Sequence, residues 1–113
     1  MTQIELLALP ESIILHGERE AGETFVTINN EWLDIEASLA ISNHSPTGFN
    51  WGYGGSGPAQ LAPAILMEFL PVKKAQEYKQ AFKWRVISVI KEDVFTVEIP
   101  FRQIIFEIKS TSG

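Results

Sequence analysis

The chain contains no cysteine. That removes disulfides and thiolate zinc sites, and it fits a reducing compartment. It has two histidines, His16 and His44, which lack metal-ligand spacing, so no metal ion is expected. No apolar run approaches the ~18–20 residues that span a bilayer, and no membrane contact is expected. The opening residues Met1 to Glu5 carry no positive charge ahead of their apolar side chains, so they do not read as a secretory signal. Together these absences point to a cytoplasmic protein. Basic residues are also scarce where the chain begins. Up to Leu70 there is one, Arg19, against nine acidic residues, a net of −8. From Pro71 onward eight basic residues face five acidic ones, a net of +3. The whole chain carries −5, the wrong sign for strong non-specific binding to nucleic acid. The asymmetry reads either as solvated faces that differ or as a dipolar surface that binds something.

What is present suits one globular domain of 113 residues, with 45% hydrophobic and 20% charged residues. Ile4 to Leu9 reads as a first strand ending at Pro10, and Ser12 to His16 as a second, stopped by Gly17. Glu18 to Glu23 reads as a loop. Thr24 to Ile28 is β-branched and aromatic, a third strand. Asn29-Asn30 tolerates positive φ and suits a hairpin turn before Glu31-Trp32-Leu33. Asp34 to Ser42 follows no single period. After the central loop, Leu61, Ile65, Leu66 and Phe69 share a helical face, with Pro63 expected to kink or interrupt it. Val72, Ala75, Tyr78 and Phe82 mark a second helix. Trp84 to Ile90 alternates and Val94 to Ile99 alternates again, which predicts a hairpin around Lys91-Glu92-Asp93. Pro100 opens either a closing helix, with Phe101, Ile104, Ile105 and Ile108 at helical spacing, or an extended edge strand. Runs of like elements predict an α+β fold: a small, mostly antiparallel sheet and two central helices, with a short C-terminal helix or an edge strand after Pro100.

The most distinctive stretch runs from Asn43 to Leu66. Four of the eight glycines fall between Gly52 and Gly57. Phe49, Trp51 and Tyr53 sit at alternate positions and are expected to pack back on the domain. Loops of this length are uncommon in compact domains and are usually functional or internally packed. Gly52 to Gly57 satisfies G-x-G-x-x-G ahead of a helix that Pro58 can open, with Gly57 or Ser56 as its N-cap. No βαβ frame surrounds it, and no Lys-Ser/Thr follows, so neither a dinucleotide fold nor a Walker loop is indicated. The competing explanation is positive φ and close approach of backbone to aromatic rings.

Three functional expectations follow. The first is a binding or regulatory module that meets a protein partner without catalysis, through this loop or the charged faces beside it. The second is a small-ligand, anion or nucleotide site at the helix N-terminus, drawing on His44, Ser56, Gly57 and Gln60. His44 with Ser45 or Ser56 could be drawn as base and nucleophile with Asp34 or Asp93 behind them, but nothing in the spacing favours it, so no catalytic residue is assigned. The third is a nucleic-acid face made by Lys73, Lys74, Lys79, Lys83 and Arg85, interleaved with Tyr78, Phe82 and Trp84. No cofactor is expected.

The run His44-Ser-Pro-Thr-Gly-Phe-Asn-Trp-Gly-Tyr-Gly-Gly-Ser-Gly-Pro-Ala-Gln-Leu-Ala62 resembles the signature of a family of small bacterial and mobile-element proteins, a domain of unknown function. The likeness extends upstream to Gly17-Glu18-Arg19 and downstream to Ala75, Tyr78 and Phe82-Lys83-Trp84. It implies a shared fold and no particular activity. Members of that family tend to carry leucine or a similar helix former where this chain has Pro63.

Overall fold

The computed structural model describes residues 2–41, 43 and 48–112. A helix stands where the aliphatic run Ile4 to Leu9 suggested a strand. α1 spans Gln3–Leu7. The Thr2 hydroxyl accepts from the Glu5 amide at 3.1 Å, and the Glu5 carboxylate accepts from the Thr2 amide at 3.1 Å. This reciprocal capping box satisfies two otherwise orphaned donors and outweighs the weak strand preference of Ile4 to Leu9.

β1 spans Ile13–Glu20 and runs straight through Gly17. Ile13, Leu15 and Gly17 are buried and alternate with outward Ile14, His16 and Glu18. Gly17 is there for space and does not end the strand. A Cβ on it would lie 2.4 Å from Phe95 Cε1 and 3.2 Å from Trp51 Cη2. The turn comes later, at Ala21 and Gly22, both at positive φ. β2 (Glu23–Ile28) returns, and Asn29-Asn30, at φ 52° and 70°, form the expected second turn into β3 (Glu31–Trp32). Asp34 to Ser42, which carried no clear period, contains the helix α2 (Ile35–Ile41).

α3 spans Ser56–Met67 and is buried along almost its whole length. Gly55 is its N-cap, so Ser56 opens the helix and Pro58 stands in its first turn, where an amide hydrogen is not needed. Pro63 lies within this single helix and does not divide it. Buried Leu61, Ala62, Ala64, Ile65 and Leu66 around it hold the helix together despite the missing donor. α4 (Val72–Phe82) follows as predicted.

The predicted hairpin over 84–99 does not form. Lys83–Ile87 continues α4 as a π-helical turn, closed by Ser88 N–H donating to Lys83 C=O at 2.9 Å. The buried apolar residues there are Val86, Ile87 and Ile90, at i, i+1 and i+4, which is helical spacing. Trp84 and Val89 are exposed. β4 (Val94–Ile99) therefore finds no partner next to it in sequence and pairs with β1. α5 (Phe101–Ser112) closes the chain as a helix, burying Phe101, Ile105 and Ile108 on one side.

The result is an α+β domain with an antiparallel four-stranded sheet in the order β3-β2-β1-β4. The inward residues Ile13, Leu15, Val26, Ile28, Phe95 and Ile99 join the helices in one core. The opposite face, with Ile14, His16, Glu18, Glu20, Phe25, Thr27, Val94, Thr96 and Glu98, is exposed or half-exposed, and no described helix covers it. Among the described residues no helix is long and apolar enough to cross a membrane.

Candidate functional site

The glycine-aromatic loop is fastened by its carbonyl groups. A segment without secondary structure must satisfy its backbone in other ways, and side chains from surrounding elements do so. Thr24 Oγ1 donates to Phe49 O at 2.6 Å, and Arg19 Nη1 to Trp51 O at 2.9 Å. Lys91 Nζ donates to Gly52 O at 2.9 Å, and Lys83 Nζ to Gly54 O at 3.2 Å. Gly52 sits at φ 87°, and a Cβ there would lie 2.7 Å from the Ile90 carbonyl oxygen. Its amide donates to Ile87 O at 3.0 Å, which ties the loop to the π turn.

Trp51 anchors this arrangement. It is fully buried, and its indole N–H donates to Glu92 O at 2.8 Å. Its ring meets Phe95 edge-on at 5.0 Å. The Arg19 guanidinium lies over the same ring, 5.0 Å from its centre. Arg19 also donates to Asp93 Oδ1 at 2.8 Å and to Asn50 Oδ1 at 2.9 Å. One arginine on β1 thus binds an indole, a carboxylate, a side-chain amide and a backbone carbonyl. Phe49 is buried as predicted, whereas Tyr53 stays half-exposed because it lies at the rim of a hollow.

That hollow has a volume of about 190 Å³, with Ser56, Gly57, Thr24, Asn50 and Tyr53 among its walls. It brings together two of the residues predicted for a ligand site, Ser56 and Gly57. Gln60 stands apart from it. It is fully buried and donates to Ser38 Oγ at 2.8 Å, linking α3 to α2. His44 lies outside the described residues.

The predicted basic set is spread over several environments. Lys83 is buried, with its ammonium on Gly54 O and 4.7 Å from the Trp84 ring centre. Arg85 pairs with Glu107 on α5. Hydrogen bonds from Gln103 and then Arg85 hold the Glu107 carboxyl below its ordinary range. Lys74 pairs with Glu77 at 3.2 Å, a bond that raises its ammonium above the ordinary value. Lys79 donates to Gln76 at 2.7 Å, and Lys73 is exposed. Among the described residues no cluster of three His, Asp or Glu side chains is placed to hold a metal ion.

The open sheet face holds a cluster that the sequence did not single out. Trp32 is 72% exposed and leans on Phe25, ring centres 4.8 Å apart. Phe25 lies 6.2 Å from His16, whose ring bonds Thr96 Oγ1 at 2.7 Å and Glu18 Oε2 at 2.8 Å. Glu20 and Glu23 stand directly opposite one another where β1 turns into β2. Glu18, Glu20, Glu23, Phe25 and Trp32 help to wall an open depression of about 640 Å³. Taking Gly17 as a stop hid this face. The alternation Ile14, His16, Glu18, Glu20 was the signal that would have shown it.

Comparison with curated proteins and with solved structures returns no match. A family model matches residues 15–107, from the third residue of β1 into α5, and so takes in both the fastened loop and the open face. By that match the chain belongs to the family of unknown function DUF6166.

Proposed function

We propose that this chain is a small cytoplasmic binding module that meets a protein partner through the open face of its sheet, without catalysis of its own. The observation that carries this reading is Trp32, a large aromatic left 72% exposed beside Phe25 on a face with no helical cover. Exposed tryptophan is uncommon on a surface with no partner and common at the energetic centre of interfaces. The fastened loop supports the reading by keeping the sheet rigid beneath that face, since β1, β2 and the 88–93 segment all hold it.

The test is a photo-crosslinking side chain placed at position 32, and separately at exposed Val72 on α4, in the source cell. A discrete adduct from position 32 and none from position 72 is the expected result. Equal adducts from both, or none from position 32, would remove the reading.

A second reading takes the hollow beside Ser56 and Gly57 as a site for a small anion. Ser56 and Gly57, the first residues of α3, stand at its wall, where a helix N-terminus favours an anion. A thermal-shift series with phosphate, sulfate and nucleotides tests it, and a Tm unchanged at millimolar ligand counts against it.

A further inference from the structure

We infer that the open sheet face receives an arginine side chain from a basic segment of its protein partner, seated against Trp32 and facing the carboxylates of the β1–β2 turn. The inference rests on the proposal that this face is the contact surface, and it adds the chemistry of the partner.

The first argument comes from the other side of the same sheet. There Arg19 lies over the Trp51 ring at 5.0 Å and bonds the Asp93 carboxylate at 2.8 Å. An indole face and a carboxylate together make a complete seat for a guanidinium, because one takes the planar cation by its quadrupole and the other by charge-assisted hydrogen bonds. The open face repeats these ingredients in Trp32, Glu18, Glu20 and Glu23. Among the described residues, no lysine or arginine lies within ion-pair distance of any of these three carboxylates.

The second argument is charge. Glu20 and Glu23 are cross-strand partners, and like charges at directly opposed positions repel. A cation between them relieves that repulsion. Arg19 is the single basic residue in the first 70, and it is engaged on the opposite face. Among the described residues the face is therefore acidic and aromatic with no lysine or arginine paired to its carboxylates, which disfavours a nucleic acid and favours a basic peptide. Arginine fits better than lysine, because its flat guanidinium stacks on an indole while its edge meets carboxylates. The depression, at about 640 Å³, is large enough for such a side chain.

The experiment is an NMR titration of the whole chain with a capped peptide of alternating arginine and glycine. A lysine-glycine peptide and a glutamate-glycine peptide are run beside it. The Trp32 indole signal and the amides of Glu20, Glu23 and Phe25 are expected to move with the arginine peptide, while the buried Trp51 indole stays in place. Trp32→Ala and the double variant Glu20→Gln, Glu23→Gln are each expected to weaken binding about tenfold or more. An unmoved Trp51 indole in both variants shows that the fold is intact. No movement at Trp32 at millimolar peptide overturns the inference. So does equal response to the lysine peptide with no loss in Trp32→Ala, which means diffuse attraction only, and so does self-association of the chain across this face. A position-32 crosslink that persists while the arginine peptide fails leaves the contact surface standing and removes only the arginine. Failure of both removes the surface itself.

Discussion

The two faces of the sheet carry the same chemistry in opposite states. On the inner side, Trp51, Arg19 and Asp93 are joined by a ring contact and hydrogen bonds, and the loop above them hangs from those bonds. On the outer side, Trp32, Phe25 and three glutamates stand together, with no lysine or arginine among the described residues of that depression. The inner group is a structural joint. A half-buried arginine whose hydrogen bonds are met holds three segments in register. The outer group has the same attraction for a cation, and among the described residues His16 alone pairs with one of its carboxylates. Residue type alone does not separate a joint from a contact surface; what separates them is whether the partner comes from the same chain.

This contrast can be broken in graded steps. Trp51→Ala should have the largest effect. It empties the centre of the joint and should cost about 3–5 kcal/mol in chemical denaturation, as for other fully buried aromatics. A loss below about 1 kcal/mol would mean that the loop does not depend on its tryptophan. Arg19→Met comes next, at about 1–3 kcal/mol, because it takes the guanidinium donor from the Trp51 carbonyl and leaves the Asn50 Oδ1 with the Trp51 amide alone. Arg19→Lys should recover only part of that loss, since an ammonium cannot hold the carboxylate and two further acceptors in one plane. Trp32→Ala should change stability by about 0.5–1 kcal/mol, the worth of its ring contact with Phe25. A loss comparable to that of Trp51→Ala would make the outer face a joint as well. Glu20→Gln with Glu23→Gln should raise Tm slightly by relieving cross-strand repulsion, and a fall in Tm would show that these carboxylates have partners within the fold.

The smallest effect belongs to an ion pair outside both faces. Glu107 titrates below the ordinary carboxylate value because Gln103 and Arg85 bond its charged form. Its contribution to stability is present above the ordinary carboxylate pKa and is lost as pH falls through the lowered value. In Arg85→Ala, carbon NMR should show the Glu107 titration moving up toward normal. No movement would assign the shift to Gln103 alone.

Much of the domain was legible from local pattern. Thr24 to Ile28, the paired asparagines, Val94 to Ile99 and the two helices on either side of Leu70-Pro71 all declare themselves by β-branching, positive-φ tolerance or helical spacing. Three readings failed, one because a neighbour distant in sequence overrode a local signal and two because a local helical feature was outweighed by strand-like side chains. Gly17 looked like a stop because glycine usually punctuates, yet it is a strand residue shaved to make room for Phe95 and Trp51. Trp84 to Ile90 looked like a strand because its aromatic and β-branched residues alternate with others, although buried Val86, Ile87 and Ile90 stand at helical spacing. Ile4 to Leu9 looked like a strand because its aliphatics outvoted Thr2 and Glu5, although that capping box was plain in the sequence. Of the predicted site residues, Ser56 and Gly57 do meet at one hollow, while Gln60 turns inward to Ser38.

Local chemistry dictated which segments could be strands and helices, that one core would form, and that the aromatic-glycine loop would be ordered. These follow from side-chain shape, backbone freedom and hydrophobic spacing, which act over a few residues. Assembly settled the rest. The pairing of β1 with β4, the fastening of four loop carbonyls by Arg19, Thr24, Lys83 and Lys91, and the gathering of Trp32 with Glu18, Glu20 and Glu23 on a bare face all join residues far apart in the chain. Such contacts are chosen by close packing and by the need to satisfy every buried polar group, and no local window contains both partners.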